Sequence, residues 1–213
     1  MIRALLTDAG GVLFNNITEE TSFVRDVAHR YAVDEHRLMR GVQSACAVYE
    51  SGAGHVHEVL RVLLEEAGSP LVDAFDGEWV DRAYLDSVHC YTANVTALTE
   101  VARAFPELTL VLANNEAEHW DRLKNARYGH YGLFDQLCSS WRVGQVKPSA
   151  EYFAAALDRC GIEPHEALMI DDRPSVVASA HELGMRTLYV SSPEVLRTRL
   201  RGTVESLVPS ARG

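Results

Sequence analysis

Long apolar runs are missing from this chain, and none approaches the ~18 residues of a membrane-crossing helix. No secretion signal is expected either, because a strand pattern begins directly after Met1. Both absences lead to the expectation of a cytoplasmic protein with no membrane partner. Cysteine is scarce. Cys46, Cys90, Cys138 and Cys160 stand far apart with no CxxC pair, which excludes a zinc ribbon and a disulfide frame and leaves reduced, mostly buried thiols as the expectation. Basic charge is also in short supply, with 20 Lys and Arg against 30 Asp and Glu and a net charge of −10. That balance argues against nucleic acid as a partner. The densest basic cluster, Arg197, Arg199 and Arg201, reads as the solvated last turns of a terminal helix. There is no Walker-type glycine loop, no GxSxG elbow, no internal repeat and no low-complexity segment, so the common nucleotide-binding and serine-hydrolase classes find no support.

What is present is an ordinary globular composition, 47% hydrophobic and 23% charged, over 213 residues. That length suits one domain carrying a sizeable insertion. Ile2 to Thr7 has strand length and stops at Asp8 and Gly10-Gly11. From Thr18 to about Tyr91 the pattern turns helical. Phe23, Val27 and Tyr31 form one stripe, and Val56, Val59, Leu60, Leu63 and Leu64 a second, broken by Gly68-Ser69-Pro70. A third helical stretch runs through Trp79 and Tyr84. Beyond it strands and helices alternate. Strands are predicted at Leu108–Leu112, Phe134–Ser139, Ala167–Ile170 and Thr187–Val190, with helices at Val95–Phe105, up to about Arg127, at Glu151–Cys160 and at Val176–Leu183. Such alternation predicts an α/β fold, a doubly wound parallel sheet of Rossmann-like form. Ligands in such sheets bind beyond the carboxyl ends of the strands.

The residues at those ends are therefore the candidates. Asp8 follows the first strand, Asn114 and Asn115 the second, Asp171 and Asp172 a later one, and Lys147 lies in a loop before a helix. Carboxylates, a lysine and amides at one edge suit magnesium-assisted phosphoryl chemistry. Magnesium takes hard oxygen ligands, an aspartate can attack phosphorus, and fixed cations and donors stabilise the transferring group. Each piece alone has an ordinary reading: a turn at Asp8, a helix N-cap at Asp171-Asp172-Arg173-Pro174, a solvated loop lysine at Lys147. His55 and His57 read as surface residues at a helix start. The order and spacing of all the pieces together carry the functional reading.

In that order the sequence resembles the haloacid-dehalogenase superfamily, in the phosphatase-like branch with a small helical (C1-type) cap inserted after the first strand. Thr7-Asp8-Ala9-Gly10-Gly11-Val12-Leu13 is similar to the first motif, Leu110 to Asn115 to the second, Ser139 to Pro148 to the third, and Ile170-Asp171-Asp172-Arg173-Pro174 with Leu183-Gly184-Met185 to the fourth. Tyr49-Glu50-Ser51-Gly52 resembles the Glu-x-Gly turn of the family's caps. The resemblance implies a core of residues 1–15 and 92–213 and a helical cap of 16–91. It implies Asp8 as nucleophile and Lys147 as its partner. Asp8, Gly10, Asp171 and Asp172 would hold Mg2+, and Gly11, Asn114, Asn115 and Lys147 would hold phosphate. Asn15, Asn16, Tyr49 and Glu50, with His55 behind them, become candidate substrate contacts from the cap side.

Three departures bear on activity. The acid that family phosphatases carry two residues after the nucleophile is here Gly10. The second motif reads as Ala113-Asn114 or as Asn114-Asn115, and neither offers a hydroxyl. Val176 stands where an asparagine is common in the fourth motif. The expected function is a magnesium-dependent phosphatase of a small phosphorylated metabolite. A non-catalytic relative that binds a metabolite or protein, and a 2-haloacid dehalogenase in which Asp8 attacks carbon, are the alternatives. Glu50 is the first candidate for the missing acid, and the oligomeric state is unreadable.

Overall fold

The computed structural model describes residues 1–208. Five parallel strands form one sheet in the order β3-β2-β1-β4-β5, with β1 Ala4–Thr7, β2 Thr109–Leu112, β3 Gln136–Leu137, β4 Ala167–Asp171 and β5 Arg186–Tyr189. The expected third strand shrinks to two residues, paired with β2 at the edge of the sheet.

Between β1 and the next strand lie six helices: α1 Ile17–Glu20, α2 Phe23–Arg30, α3 Glu35–Glu50, α4 Val56–Glu66, α5 Gly77–Ser87 and α6 Thr92–Ala104. After β2 come α7 Glu118–Tyr128, α8 Ser140–Val143, α9 Ala150–Cys160, α10 Pro174–Glu182 and α11 Pro193–Leu207. Helix α3, the longest of the insertion, had no separate expectation. Its buried residues Leu38, Val42 and Tyr49 are too sparse to mark a stripe. Its start is fixed by Asp34, whose carboxylate accepts from the Arg37 N–H at 2.8 Å, and Asp76 caps α5 through Trp79 at 2.9 Å.

The strand period of two explains the layers. Leu5, Leu110, Leu112, Leu168 and Ile170 point to one face, against Leu98 and Val101 of α6 and Leu196, Leu200 and Val204 of α11. Ala4, Leu6, Val111, Ala167 and Met169 point to the other, against Tyr152, Phe153 and Ala156 of α9 and Val176 and Ala180 of α10. The first of these cores continues into the helical insertion through Phe14, Phe23, Tyr84 and Trp120, where Tyr84 and Trp120 stack 4.5 Å apart.

No described helix is long and apolar enough to cross a membrane. Of the cysteines only Cys138 is buried and the other three are partly exposed, so the expectation of mostly buried thiols was too strong; all four are free. Arg197, Arg199 and Arg201 face solvent within α11, and Arg197 and Arg201 pair with Glu194 and Glu205.

Candidate active site

Register puts the strand ends level. Thr7 lies beside Leu112 on one side and Ile170 on the other, and the Asp8 N–H continues the ladder to the Ile170 carbonyl at 2.9 Å. Asp8 and Asp171 therefore leave neighbouring strands side by side, and Asp172 follows. One ligand atom from each of the three lies within 4.8 Å of the others.

Lys147 reaches this cluster from the loop before α9. Its Nζ lies 3.0 Å from Asp8 Oδ1 and 2.6 Å from Asp171 Oδ2, and the residue is 5% exposed. The Lys147–Pro148 peptide is cis. Asn115 holds that loop. Its Nδ2 donates to the Lys147 carbonyl at 2.9 Å, and its Oδ1 accepts from the Lys147 N–H at 2.8 Å. The side chain expected to bind phosphate thus grips the main chain of Lys147. Asn114 is buried, donates to Asp121 at 3.3 Å, and leaves its own Oδ1 without a partner.

Burial pushes the Asp8 carboxyl up, with Lys147 opposing and Asp172 adding to the rise. Asp171 is pushed up to about 6, again chiefly by burial and against Lys147. Burial alone would lower the Lys147 ammonium, but Asp171 and Asp8 outweigh it and hold the lysine above its ordinary value. Both Asp171 oxygens are engaged, one by Lys147 and one by the Arg173 N–H at 2.8 Å. Asp172 differs. Its Oδ2 accepts from Asn16 at 2.8 Å, while its Oδ1 is buried with no hydrogen-bond partner.

The two glycines that follow Asp8 and Ala9 are closely fitted. Gly11 has φ +65°, and a Cβ there would lie 2.1 Å from Asp172 Oδ2. Gly11 is buried against the Asp172 carboxylate. Gly10 lines the cleft above Asp8, and a Cβ there would meet only the tip of the Asn16 side chain, at 2.6 Å.

This cleft encloses ≈ 450 Å³ and is bordered by Asn16, Glu50, Glu116, Lys124, Lys147 and Arg173. The insertion forms its roof. Burial, followed by repulsion from Glu116, pushes the Glu50 carboxyl up to about 7. Tyr49 lies beside it, but its hydroxyl is turned toward the Val42 carbonyl inside the insertion. Asn15 is on the rim with its amide committed elsewhere. Nδ2 donates to the Ser87 carbonyl at 3.0 Å, and Oδ1 accepts from the His89 N–H at 2.6 Å. Asn15 thus ties the outgoing and returning connections of the insertion to one another while it borders the cleft. His55 opens onto a separate groove with His119 and Arg122, so its expected place over the cleft is corrected. His57, expected at the surface, is half-buried against Asp81. Glu116, Lys124 and Arg173 had no expectation attached. Glu116 pairs with Lys124 at 2.7 Å and accepts from the Tyr84 hydroxyl at 3.0 Å, and no local pattern marks such a pair.

The comparisons with known proteins agree with this geometry. Residues 2–184 match the family model described as haloacid dehalogenase-like hydrolase. A glyceraldehyde 3-phosphate phosphatase of Methanopyrus kandleri is 25% identical over 206 residues, covering 89% of this chain and 84% of that one. A HAD family enzyme from Bacteroides thetaiotaomicron, solved in complex with magnesium and inorganic phosphate, superposes with a TM-score of 0.72 at 21% identity, over 89% of this chain and 94% of the other. L-2-haloacid dehalogenase from Xanthobacter autotrophicus, with chloropropionic acid covalently bound, superposes with a TM-score of 0.62 at 19% identity, over 98% of this chain and 85% of that one. The parallel sheet, the helical insertion after its first strand and the matched family model together place this chain in the haloacid dehalogenase-like hydrolase family.

Proposed function

We propose that this hydrolase is a magnesium-dependent phosphatase of a small phosphorylated metabolite, with Asp8 as the nucleophile. The observation that carries the reading is the carboxylate cluster and its orphan oxygen. Asp8, Asp171 and Asp172 converge, and Asp172 Oδ1 is buried with nothing to bond. A buried anionic oxygen without a partner is costly, and a hard cation with an octahedral oxygen shell removes that cost. Asp8, the Gly10 carbonyl and Asp172 would hold the ion, and Asp171, with both oxygens engaged, acts through Lys147. Bound there, magnesium would neutralise charge on the phosphate oxygens. The magnesium and phosphate held by the Bacteroides relative, and the phosphatase from Methanopyrus, support the same reading.

The chain's own residues supply the remaining steps. Lys147 opposes the effect of burial on the Asp8 carboxyl and neutralises charge beside the phosphate. An Asp8 carboxylate oxygen forms a bond to phosphorus, and the ester oxygen departs with the bonding electron pair. Glu50, protonated near neutral pH, gives that oxygen its proton. Water then attacks the aspartyl phosphate, phosphate leaves, and Glu50 takes the proton back. This assignment answers the absence of an acid at Gly10. The acidic pair Asp171-Asp172 disfavours the dehalogenase alternative, which has little use for two more carboxylates beside an anionic substrate. A cleft of ≈ 450 Å³ is within the range of small-molecule sites and suits a metabolite.

The test is a panel of phosphorylated metabolites assayed with and without magnesium, with Asp8→Asn as control. Release of phosphate that needs both magnesium and Asp8 supports the reading. No turnover of any ester, an activated aryl phosphate included, would favour the non-catalytic alternative.

A further inference from the structure

A second cluster of metal-binding groups lies away from the acidic one. His57 is the second residue of α4, Asp81 sits in α5, and His119 is the second residue of α7. His57 Nε2 lies 2.7 Å from Asp81 Oδ1, and His119 Nε2 lies 2.8 Å from Asp81 Oδ2. The ligand atoms of all three fall within 4.8 Å of one another. None is fully exposed, with side-chain exposures of 20%, 19% and 31% in the order His57, Asp81, His119.

The surroundings are fitted to these rings. The His57 ring rests on Gly77, where a Cβ would come within 2.8 Å of Nδ1, so only glycine admits the ring at this position. Phe75 closes another side, with ring centroids 5.8 Å apart. Trp120 Nε1 donates to Asp81 Oδ1 at 3.2 Å and orients the carboxylate from behind. The His55 ring lies edge-on to His57 and tilted to His119, with centroids 5.1 and 5.0 Å away, and borders an open groove shared with His119.

We infer that His57, Asp81 and His119 form a binding site for a first-row divalent transition metal such as zinc, independent of the phosphoryl site. Two imidazoles and one carboxylate, with a position open to solvent, are the donor set of such metals and not of magnesium. Zinc–ligand bonds of about 2.0–2.1 Å put tetrahedral ligand atoms about 3.3 Å apart. The imidazole–carboxylate contacts of 2.7 and 2.8 Å, with all three ligand atoms within 4.8 Å, bracket that spacing. Binding requires neutral imidazoles with the ring proton on Nδ1, so that each Nε2 presents its lone pair. The consequence follows from the placement. His57 and Asp81 belong to the insertion and His119 to the helix that follows β2, so the ion pins the insertion onto the sheet domain. The competing account is a carboxylate satisfied by three N–H donors with no affinity for metal.

The experiment is calorimetric titration with zinc, and visible spectroscopy with cobalt(II), on the full chain in excess magnesium. The expected result is one equivalent bound by wild type and retained in Asp172→Ala, with a rise in Tm of several degrees on adding zinc. In His119→Gln, chosen because that side chain is the most exposed of the three, affinity should fall at least tenfold and the Tm rise should vanish. Asp81→Asn should behave alike. Wild type that takes up no zinc or cobalt(II) beyond what Asp172→Ala abolishes would overturn the inference, as would folded His119→Gln that binds as wild type does.

Discussion

The Ser140 hydroxyl donates a hydrogen bond to the Glu50 carbonyl at 2.6 Å, joining the turn at the end of α3 to the start of α8. Beside it Gly52, at φ +77°, lies so close to Trp141 that a Cβ would sit 3.2 Å from its carbonyl oxygen. The contact fixes the end of α3 at the border of the cleft, where burial and then repulsion from Glu116 raise the Glu50 carboxyl to about 7.

A pH dependence follows. Activity should fall as pH rises above about 7 and Glu50 loses its proton. In Glu50→Gln that alkaline limb should disappear, and the rate on alkyl phosphates should drop by ~10²–10⁴, with much less loss on aryl phosphates whose leaving groups need no proton. Stability carries the same sign. Because the folded pKa is raised above the ordinary 4.5, the protonated carboxyl favours the fold below that value, and the contribution is lost as pH climbs through about 7. Thermal melts across that window should decline less in Glu50→Gln than in wild type. A wild-type rate that stays flat through the alkaline range would remove Glu50 from the acid role.

Lys147 tests the link between charge and chemistry. Lys147→Met should cost ~10²–10³ in turnover, the usual worth of a fixed donor at a reacting group. Since the residue is buried between Asp8 and Asp171, it should also lower stability by ~3–5 kcal/mol, the typical effect of stripping one partner from a buried ion pair. Single-turnover kinetics alongside thermal melts separate the two losses. Wild-type turnover in a folded variant would leave Lys147 a structural role only.

The two glycines should respond differently. Gly11→Ala forces a side chain into a left-handed backbone and into Asp172, so it should lose both magnesium binding and stability. Gly10→Ala meets only the flexible end of Asn16 and should fold with a Tm near that of wild type. Circular dichroism melts with magnesium calorimetry decide this. Equal behaviour of the two variants would contradict the packing against Asp172.

Asn16 was expected to touch substrate, yet its amide donates to Asp172 Oδ2. Asn16→Ala should therefore weaken magnesium binding by ~10–100-fold, the usual effect of losing a group that orients a metal ligand. Asp172→Ala should abolish binding altogether. Calorimetry on both checks the order. A change confined to KM for the phosphoester would return Asn16 to the substrate-contact reading.

The sequence by itself determined the sheet and the position of its reactive edge. Ala4 to Thr7 and Ala167 to Asp171 are buried along their whole length, and residues that follow parallel strands must emerge together at one edge. That regularity is local and repetitive, so Asp8, Asp171 and Asp172 could be read from their places in the chain. What the tertiary structure alone decided is which partner each polar side chain found. Asn115 and Asn15 are asparagines like any other in sequence, yet one grips the Lys147 main chain and the other ties together the two chain connections of the insertion. Glu50 gains its raised pKa from burial under helices packed long after it in the chain. His57, Asp81 and His119 come from three helices that no spacing rule connects. The physical reason is the same in each case: hydrogen bonding and desolvation depend on neighbours distant in sequence, and the residue type fixes only what a side chain is able to bond.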